Sequence, residues 1–474
     1  MTPASDDLTV AASDSAEDLE DLALREDYAL NPAFVEMVVD AADRGDTARL
    51  RELLDALHPA DIADLLGFLN AGIREELIPL LTSDELAETL SELDGNLREE
   101  VLEQVAPANL ARAIGEMDSD DAADVVDDLE GAKRGQVLAA MSDADRASIE
   151  SSLSHDEETA GRLMQREVLA APQFWTVEQT IDHVRTAGDD LPELFFDVYI
   201  VDPFNKPLGA AALSLLLRSP RDAALSKIME PVTEIPVDMD QEEVAYIFDK
   251  YHLISAPVVD ASGRLVGQIT VDDIVGVIQE ESEEDMLALA GVSDAGRDAS
   301  MLDITRSRFW WLFINLGTAI LASSVIAIFQ GSIAKLAALA VISPIAASMG
   351  GNAGTQTVTV AVRALATKEL NAANLMVSIW REIGAGVLNG VAFAVVMGGV
   401  TVVWFHNPMM AMIAALAMVI NLFVAAVAGM VIPLTLDRMG FDPAASSVVF
   451  LTTVTDCVGF FSFLGLATLI LLHP

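Results

Sequence analysis

The residue best placed to do chemistry in this chain is Asp456. It sits about twelve residues into the apolar run AASSVVFLTTVTDCVGFFSFLGLATLILL of residues 444–472. A carboxylate that deep in hydrocarbon is costly unless a partner or a wet cavity receives it, so it reads as a cation site or as a carboxylate bonded within a helix bundle. Thr452, Thr453 and Thr455 lie within one turn of it. Two symmetry-related copies would form a ring of two carboxylates. Mg²⁺ dehydrates reluctantly and keeps several waters, so such a ring suits the hydrated ion and disfavours anions. A second polar cluster, SPIAASMGGNAGTQTVTVAVRAL over residues 343–365, contains Pro344, Gly350, Gly351 and Gly354. The spacing predicts a break in the helix, tolerated at that depth only where it packs on protein or lines a cavity. Asn352, Thr355 and Gln356 beside it would then hydrogen-bond a hydrated ion. The alternative is a kinked helix packed through its small residues.

Other chemistries lack residues to carry them. Cys457 is the single cysteine and the six histidines form no HExxH pair, which excludes a disulfide framework and cysteine-based metal centres. No nucleophile stands beside a base, and there is no phosphate loop, so an enzyme is not expected. Carboxylates are the abundant ligands, and they favour hard ions.

Charge divides the chain. Of its 474 residues 52% are hydrophobic, yet the formal net charge is −46. Residues 301–474 carry 7 Lys+Arg and 6 Asp+Glu, leaving 20 and 67 for the first 300, a net −47 there. An acidic part is therefore joined to an apolar one. The acidic part repels nucleic acid and attracts cations. The N-terminus, MTPASDDLTVAASDSAEDLEDL, lacks the basic start and apolar run of a signal peptide.

The elements that must position these residues follow in order. Residues 1–30 read as a disordered acidic tail. Residues 31–158 show short helical units with one-sided apolar stripes, such as Leu50, Leu53, Leu54 and Leu57, which bury that face only by stacking into an α-superhelix. After Gly161 strands and helices alternate. FFDVYIVDPFNKPLGAAALSLLL and SAPVVDASGRLVGQITVDDIVGVI repeat one order about sixty residues apart. This tandem α+β pair, placed at 159–224 and 225–279, resembles CBS modules. An acidic helical stretch at 280–304 connects to five apolar segments, at about 309–330, 333–365, 381–405, 409–436 and 445–472, each long enough to span a bilayer. Arg306, Arg308, Arg363, Lys368, Arg381 and Arg438 fall on the N-terminal side in this count and only Lys335 opposite, which puts the N-terminus in the cytosol and Pro474 outside a plasma membrane. Five spans make a thin wall, so a homodimer with the path on its two-fold axis is expected.

With PxxxxxGGNxGTQ, DRxGFDPAxxS and TTxTDxxGF lying in that order behind an acidic helical domain and a CBS pair, the chain from about residue 35 onward resembles the MgtE family of magnesium channels. The resemblance implies a homodimer with Mg²⁺ held in the pore by Asp456, and Gly350, Gly351 and Asn352 lining it. It implies that the acidic connecting helix, through Glu281, Glu284 and Asp285, plugs the cytosolic mouth when Mg²⁺ bridges it to acids of the CBS pair and N domain. On the CBS side the matching acids are Asp240, Glu242 and Asp273. Two acids of some members are His252 and Gly276 here, which bears on the number of regulatory ions. N-domain candidates are Asp84, Asp118, Asp120, Asp121 and Asp124. CBS pairs often bind ATP or another adenine nucleotide, and Ser255, Pro257 and Asp272 fall where one would lie. The competing expectations are a broader pathway for Co²⁺, Ni²⁺ or Mn²⁺, and a membrane-anchored CBS sensor that conducts nothing.

Overall fold

A computed structural model describes residue 19 and residues 22–93, 95–187, 191–192, 194–292, 301–370 and 374–472. Two compact units divide the chain, residues 1–278 and 279–474.

Short helices fill the first part of the first unit because polar caps and prolines punctuate the sequence at close intervals. They are α1 (Pro32–Asp43), α2 (Thr47–Leu54), α3 (Pro59–Phe68), α4 (Ala71–Leu77), α5 (Ser83–Ser91), α6 (Gly95–Gln104), α7 (Pro107–Ile114), α8 (Ser119–Asp127), α9 (Gly131–Ala140) and α10 (Asp143–Ser152). Asn31, Asp46 and Asn70 accept from backbone N–H groups at the starts of α1, α2 and α4, and Thr82 with Glu85 forms a reciprocal capping box on α5. Glu85 also pairs with Arg51 across to α2 at 2.5 Å, and the guanidinium holds its carboxyl down at about 2. One continuous apolar core runs through this layer, from Phe34 and Leu50 to Val126 and Ile149.

The acidic tail is shorter than residues 1–30. Residues 1–18, 20 and 21 lie outside the described residues, but Leu19, Ala23 and Leu30 are buried in that core. Leu19, Leu22 and Ala23 have helical spacing, and this apolar stripe outweighs the acidic composition around it.

The tandem modules interlock. β1 (Ala170–Pro172), β2 (Asp197–Val201) and β3 (Pro207–Ala212) form one sheet in that order, flanked by α12 (Val177–Ala187) and α13 (Leu213–Arg218). β4 (Ile235–Pro236), β5 (Ser255–Val259) and β6 (Leu265–Thr270) form the second, with α15 (Gln241–Tyr251) and α16 (Val271–Leu289). In each, the first pairing is parallel and the second antiparallel. The chain crosses over at both joints. The strip holding α11 (Ala160–Leu163) bridges to the second module, Gln165 to Gln268 and Thr159 to Asp240, while the strip holding α14 (Leu225–Ile228) bridges back to the first, Ala224 to Thr176 and Glu230 to Ala210. A boundary at 224/225 therefore separates sequence repeats rather than structural layers.

Nor is the acidic connecting helix a separate element. α16 is continuous from the last CBS helix to Leu289 and ends at Gly291, whose φ of +67° closes the turn. Residues 293–300 of the expected connector lie outside the described residues.

The second unit holds long helices: α17 (Met301–Ile328), short α18 (Gln330–Lys335), then α19 (Ala338–Ala366), α20 (Leu375–Phe405), α21 (Pro408–Arg438) and α22 (Pro443–Ala467). Four segments, Ile304–Ile328, Leu375–Phe405, Pro408–Arg438 and Pro443–Leu471, are long and apolar enough to cross a membrane. α19 is of similar length, 29 residues, but its polar string lowers its hydropathy. It packs against both α21 and α22, which also pack on each other. The expected break at Gly350–Gly351–Asn352 does not form, and α19 runs unbroken through Pro344 and the glycines. Without water to satisfy freed backbone groups, an intact helix packed through small residues is the lower-energy solution.

Candidate functional site

α22 carries Asp456 midway along its length and leaves it half-buried, with no hydrogen-bond or ion-pair partner among the described residues. Its hydroxyl neighbours are turned to their own helix. Thr452 and Thr453 donate to Val449 O at 3.1 and 2.7 Å, and Thr455 donates to Leu451 O at 3.0 Å. With the hydroxyl hydrogens spent there, what the partly exposed Thr452 and Thr453 offer outward is oxygen lone pairs. A carboxylate among such acceptors attracts a cation or the hydrogens of its waters.

α19 meets α22 at this level. A Cβ on Gly351 would lie 3.8 Å from Thr455 Oγ1, and Gly354 meets Leu451, so the two helices run antiparallel here and place Asn352 and Asp456 within about a turn of each other. Asn352 and Gln356 are exposed on the protomer, while Thr355 is partly buried and bonds to Gly351 O. Gly350 departs from expectation. It is buried, and a Cβ there would fall 2.0 Å from Asn421 Nδ2, so it serves helix contact and lines no open surface. Gly351 is partly buried.

At one end of the bundle, α16 reaches the helix ends. Ala288 and Leu289 pack against a cluster of Val358, Val362, Ala428, Ala444 and Leu451. Asp285, one turn earlier, is pushed above the usual carboxylate range by burial first and then by Asp442 and Glu284. Asp442 itself caps α22, accepting from Ala444 N at 2.7 Å and Ala445 N at 2.9 Å. Glu281 is partly buried and Glu284 exposed.

Within the first unit, α8 docks on the second CBS module and brings acids together. Asp120 is only 8% exposed and its Oδ1 has no hydrogen-bond partner. Burial raises its carboxyl well above the ordinary range, and Asp273 at the start of α16 is the next cause. Asp273 is pushed up to about 7, again by burial first, although Thr270 Oγ1 donates to it at 2.9 Å. Asp121 is raised by burial as well. The juxtaposition favours a proton or a cation between Asp120 and Asp273.

Cations and hydrogen bonds from the chain itself hold α8 beside this pair. Arg162, on the crossed-over strip and 9% exposed in its side chain, reaches Asp124 at 3.2 Å and Asp127 at 2.8 Å. Glu167 Oε2 accepts from Ser119 N at 3.3 Å and Ser119 Oγ at 2.8 Å, a carboxylate on the first residue of α8. Arg162 and Glu167 escape a sequence reading, because their partners lie 35 to 48 residues away and the crossover that aligns them has no local signature. Asn421 left a signal, an amide inside an apolar run.

The remaining sequence candidates are dispersed. Asp240 is exposed and caps α15, accepting from Glu242 N at 2.9 Å, while Glu242, Asp84 and Asp118 are also exposed. His252 is the left-handed residue that ends α15. Ser255 is buried and committed, its hydroxyl donating to Asp197 at 2.8 Å and sharing a 2.8 Å contact with Tyr199 Oη. Pro257 is buried two residues on, and Asp272 is exposed on α16. Among the described residues no group of three or more His, Cys, Asp or Glu is arranged to hold a metal ion.

Three family profiles match the chain: a divalent cation transporter family, MgtE, over residues 343–466, the MgtE intracellular N domain over 57–158, and the CBS domain over 225–280. A magnesium transporter MgtE of Thermus thermophilus is 33% identical over 332 residues, covering 68% of this chain and 72% of that protein. The magnesium transporter MgtE of Enterococcus faecalis is 32% identical over 322 residues, covering 68% and 71%. Among solved structures, the cytosolic domain of the Mg²⁺ channel MgtE in complex with ATP is 32% identical, spanning 51% of this chain and 99% of its own, with a TM-score of 0.49. The soluble part of a magnesium transporter is 27% identical, spanning 53% and 98%, with a TM-score of 0.48.

Proposed function

The chain belongs to the MgtE family of magnesium transporters, and from that premise we propose that two copies form a Mg²⁺-selective channel whose ion-binding carboxylates are the paired Asp456 residues. The observation that carries this is Asp456 itself, a half-buried carboxylate at mid-helix with no partner in its own protomer among the described residues. In an apolar bundle such a group is retained where a cation receives it. Asn352, Thr452 and Thr453 supply neutral oxygens within about a turn of it, suited to the waters of a hydrated ion more than to bare coordination.

The pathway closes when cytosolic Mg²⁺ rises. Asp120 with Asp273, and Asp285 with Asp442, are acid pairs held close enough to raise a member's pKa. Mg²⁺ at such pairs stabilises the state in which they are close, by the free energy of its preferential binding. Glu281 and Glu284 on α16, and Asp240 and Glu242 on α15, extend the acidic surfaces available to bridging ions. The five long helices cross a plasma membrane with the N-terminus in the cytosol, as the flanking arginines favour.

An adenine nucleotide at the CBS pair extends the same reading. Asp272 and the β5 strand containing Pro257 would hold it, while Ser255 stays bonded to Asp197. Equilibrium dialysis with labelled ATP tests this, and an Asp272→Ala variant that binds ATP as the wild type does would remove Asp272 from the site.

Competition decides between a Mg²⁺-selective and a broad divalent pathway. Flux of Mg²⁺ into proteoliposomes should persist in equimolar Mn²⁺, Co²⁺ or Ni²⁺, whose own entry is slow. Equal entry of all four ions would establish the broader transporter instead.

A further inference from the structure

Asn421 is an amide in the middle of α21, where the neighbouring residues are all apolar. It is fully buried, and its Nδ2 donates across the bundle to Ala346 O on α19 at 2.8 Å. Among the described residues this is the sole hydrogen bond joining any two of α19, α21 and α22. Its Oδ1 is buried with no partner. A polar group is costly to keep in such a place.

The amide is wedged between two glycines. A Cβ added to Gly350 of α19 would lie 2.0 Å from Nδ2, and one added to Gly459 of α22 would lie 2.9 Å from Nδ2 and 2.8 Å from Ala347 Cα. Three helices therefore meet at one point, and no side chain larger than hydrogen fits at either glycine without displacing the amide. Gly350 is two residues before Asn352, and Gly459 is three residues after Asp456. Small apolar surfaces in lipid pack well in more than one register, whereas a directional bond from a buried amide selects one.

We propose that Asn421 is a positioning residue for the ion pathway: by fixing α19 against α22 through Gly350 and Gly459, it sets the spacing between Asn352 and Asp456 and hence the choice among hydrated divalent ions. This rests on the reading of Asp456 as the pathway carboxylate.

The test uses the full chain in proteoliposomes, with Mg²⁺ and Mn²⁺ flux measured separately for wild type, Asn421→Ala, the double variant Gly350→Ala/Asn421→Ala, and Asp456→Asn. In Asn421→Ala the Mg²⁺-to-Mn²⁺ flux ratio should fall roughly tenfold, the scale expected when a site group is misplaced by less than an ångström. In the double variant a methyl refills the vacated space but restores no donor, so the ratio should stay low. Should Asn421→Ala fail to fold, the double variant reads the same ratio in a repacked bundle. A wild-type ratio in either variant overturns the proposal, since packing alone would then set the spacing. Asp456→Asn separates the two readings. Its loss of flux beside a wild-type ratio in the Asn421 variants removes only the positioning role, whereas undiminished flux in Asp456→Asn removes the pathway itself.

Discussion

Burial raises the carboxyls of both Asp120 and Asp273, and repulsion adds to it, from Asp273 on Asp120 and from Asp272 and Asp121 on Asp273. A carboxyl whose folded pKa lies above its unfolded value binds protons on folding, so it destabilises the folded state at high pH and ceases to do so as pH falls. For Asp273 that window runs from about 7 down to its ordinary 3.8. In Mg²⁺-free buffer, α8 should therefore be held more firmly as pH drops from 8 toward 4, by about one proton's worth of linkage. Amide hydrogen exchange in α8 would read this, and Asp273→Asn should flatten the dependence. A firmness that rises with pH would contradict it. Saturating Mg²⁺ at pH 8 should reproduce the low-pH protection. Asp273 could be nominated from the sequence through a recurring motif, but its partner among Asp118, Asp120, Asp121 and Asp124 could not. Only the docked face of α8 singles out Asp120, by burying it without a hydrogen-bond partner for Oδ1. Asp456 was legible because hydrocarbon makes any carboxylate conspicuous. Gly350 suggests a break by its flexibility, but the helix continues through it and its small size serves contact with Asn421.

At the level of elements, crossing strips and close helix contacts position the sites. Arg162 belongs by its backbone to the second CBS module, Ala160 N and Gly161 N bonding to Met239 O and Val237 O, yet its guanidinium grips α8. Arg162→Ala should cost about 1–3 kcal/mol, the range for leaving charge-paired partners without their counter-ion. The loss should appear as faster exchange in α8 and a higher Mg²⁺ requirement for its protection, with the cores around Phe34 and Val258 unaffected. Uniform loss of protection across both cores would show that Arg162 supports the fold at large. In the bundle, Gly429 of α21 faces Thr357 and Gly354 of α19. A Cβ there would meet Thr357 Cβ at 2.7 Å and Gly354 O at 3.0 Å, so backbone must move. Gly429→Ala should lower thermal stability in detergent by about 1–3 kcal/mol, the usual cost of overpacking. An unchanged melting temperature would mean α19 and α21 separate freely. The helices themselves were legible from apolar length and period, as were the two sheets from their repeated strings. The crossover was not, since strips as short as Ala160–Leu163 pair by tertiary contact rather than by any pattern of their own.

Across the whole molecule, charge and hydropathy divide the chain: acids concentrate before residue 300, and the apolar helices after it hold one carboxylate, Asp456, at mid-helix. α16 is one continuous helix that carries Asp273 near its start and Asp285 near its end. The measurement that tests this account most directly is Mg²⁺ flux into proteoliposomes for wild type and Asp456→Asn, with Mg²⁺ varied on the side that carries the N-terminal unit. The account predicts flux in the wild type that falls as that Mg²⁺ rises, and none above background in Asp456→Asn at any concentration. Wild-type flux through correctly folded Asp456→Asn protein would contradict it.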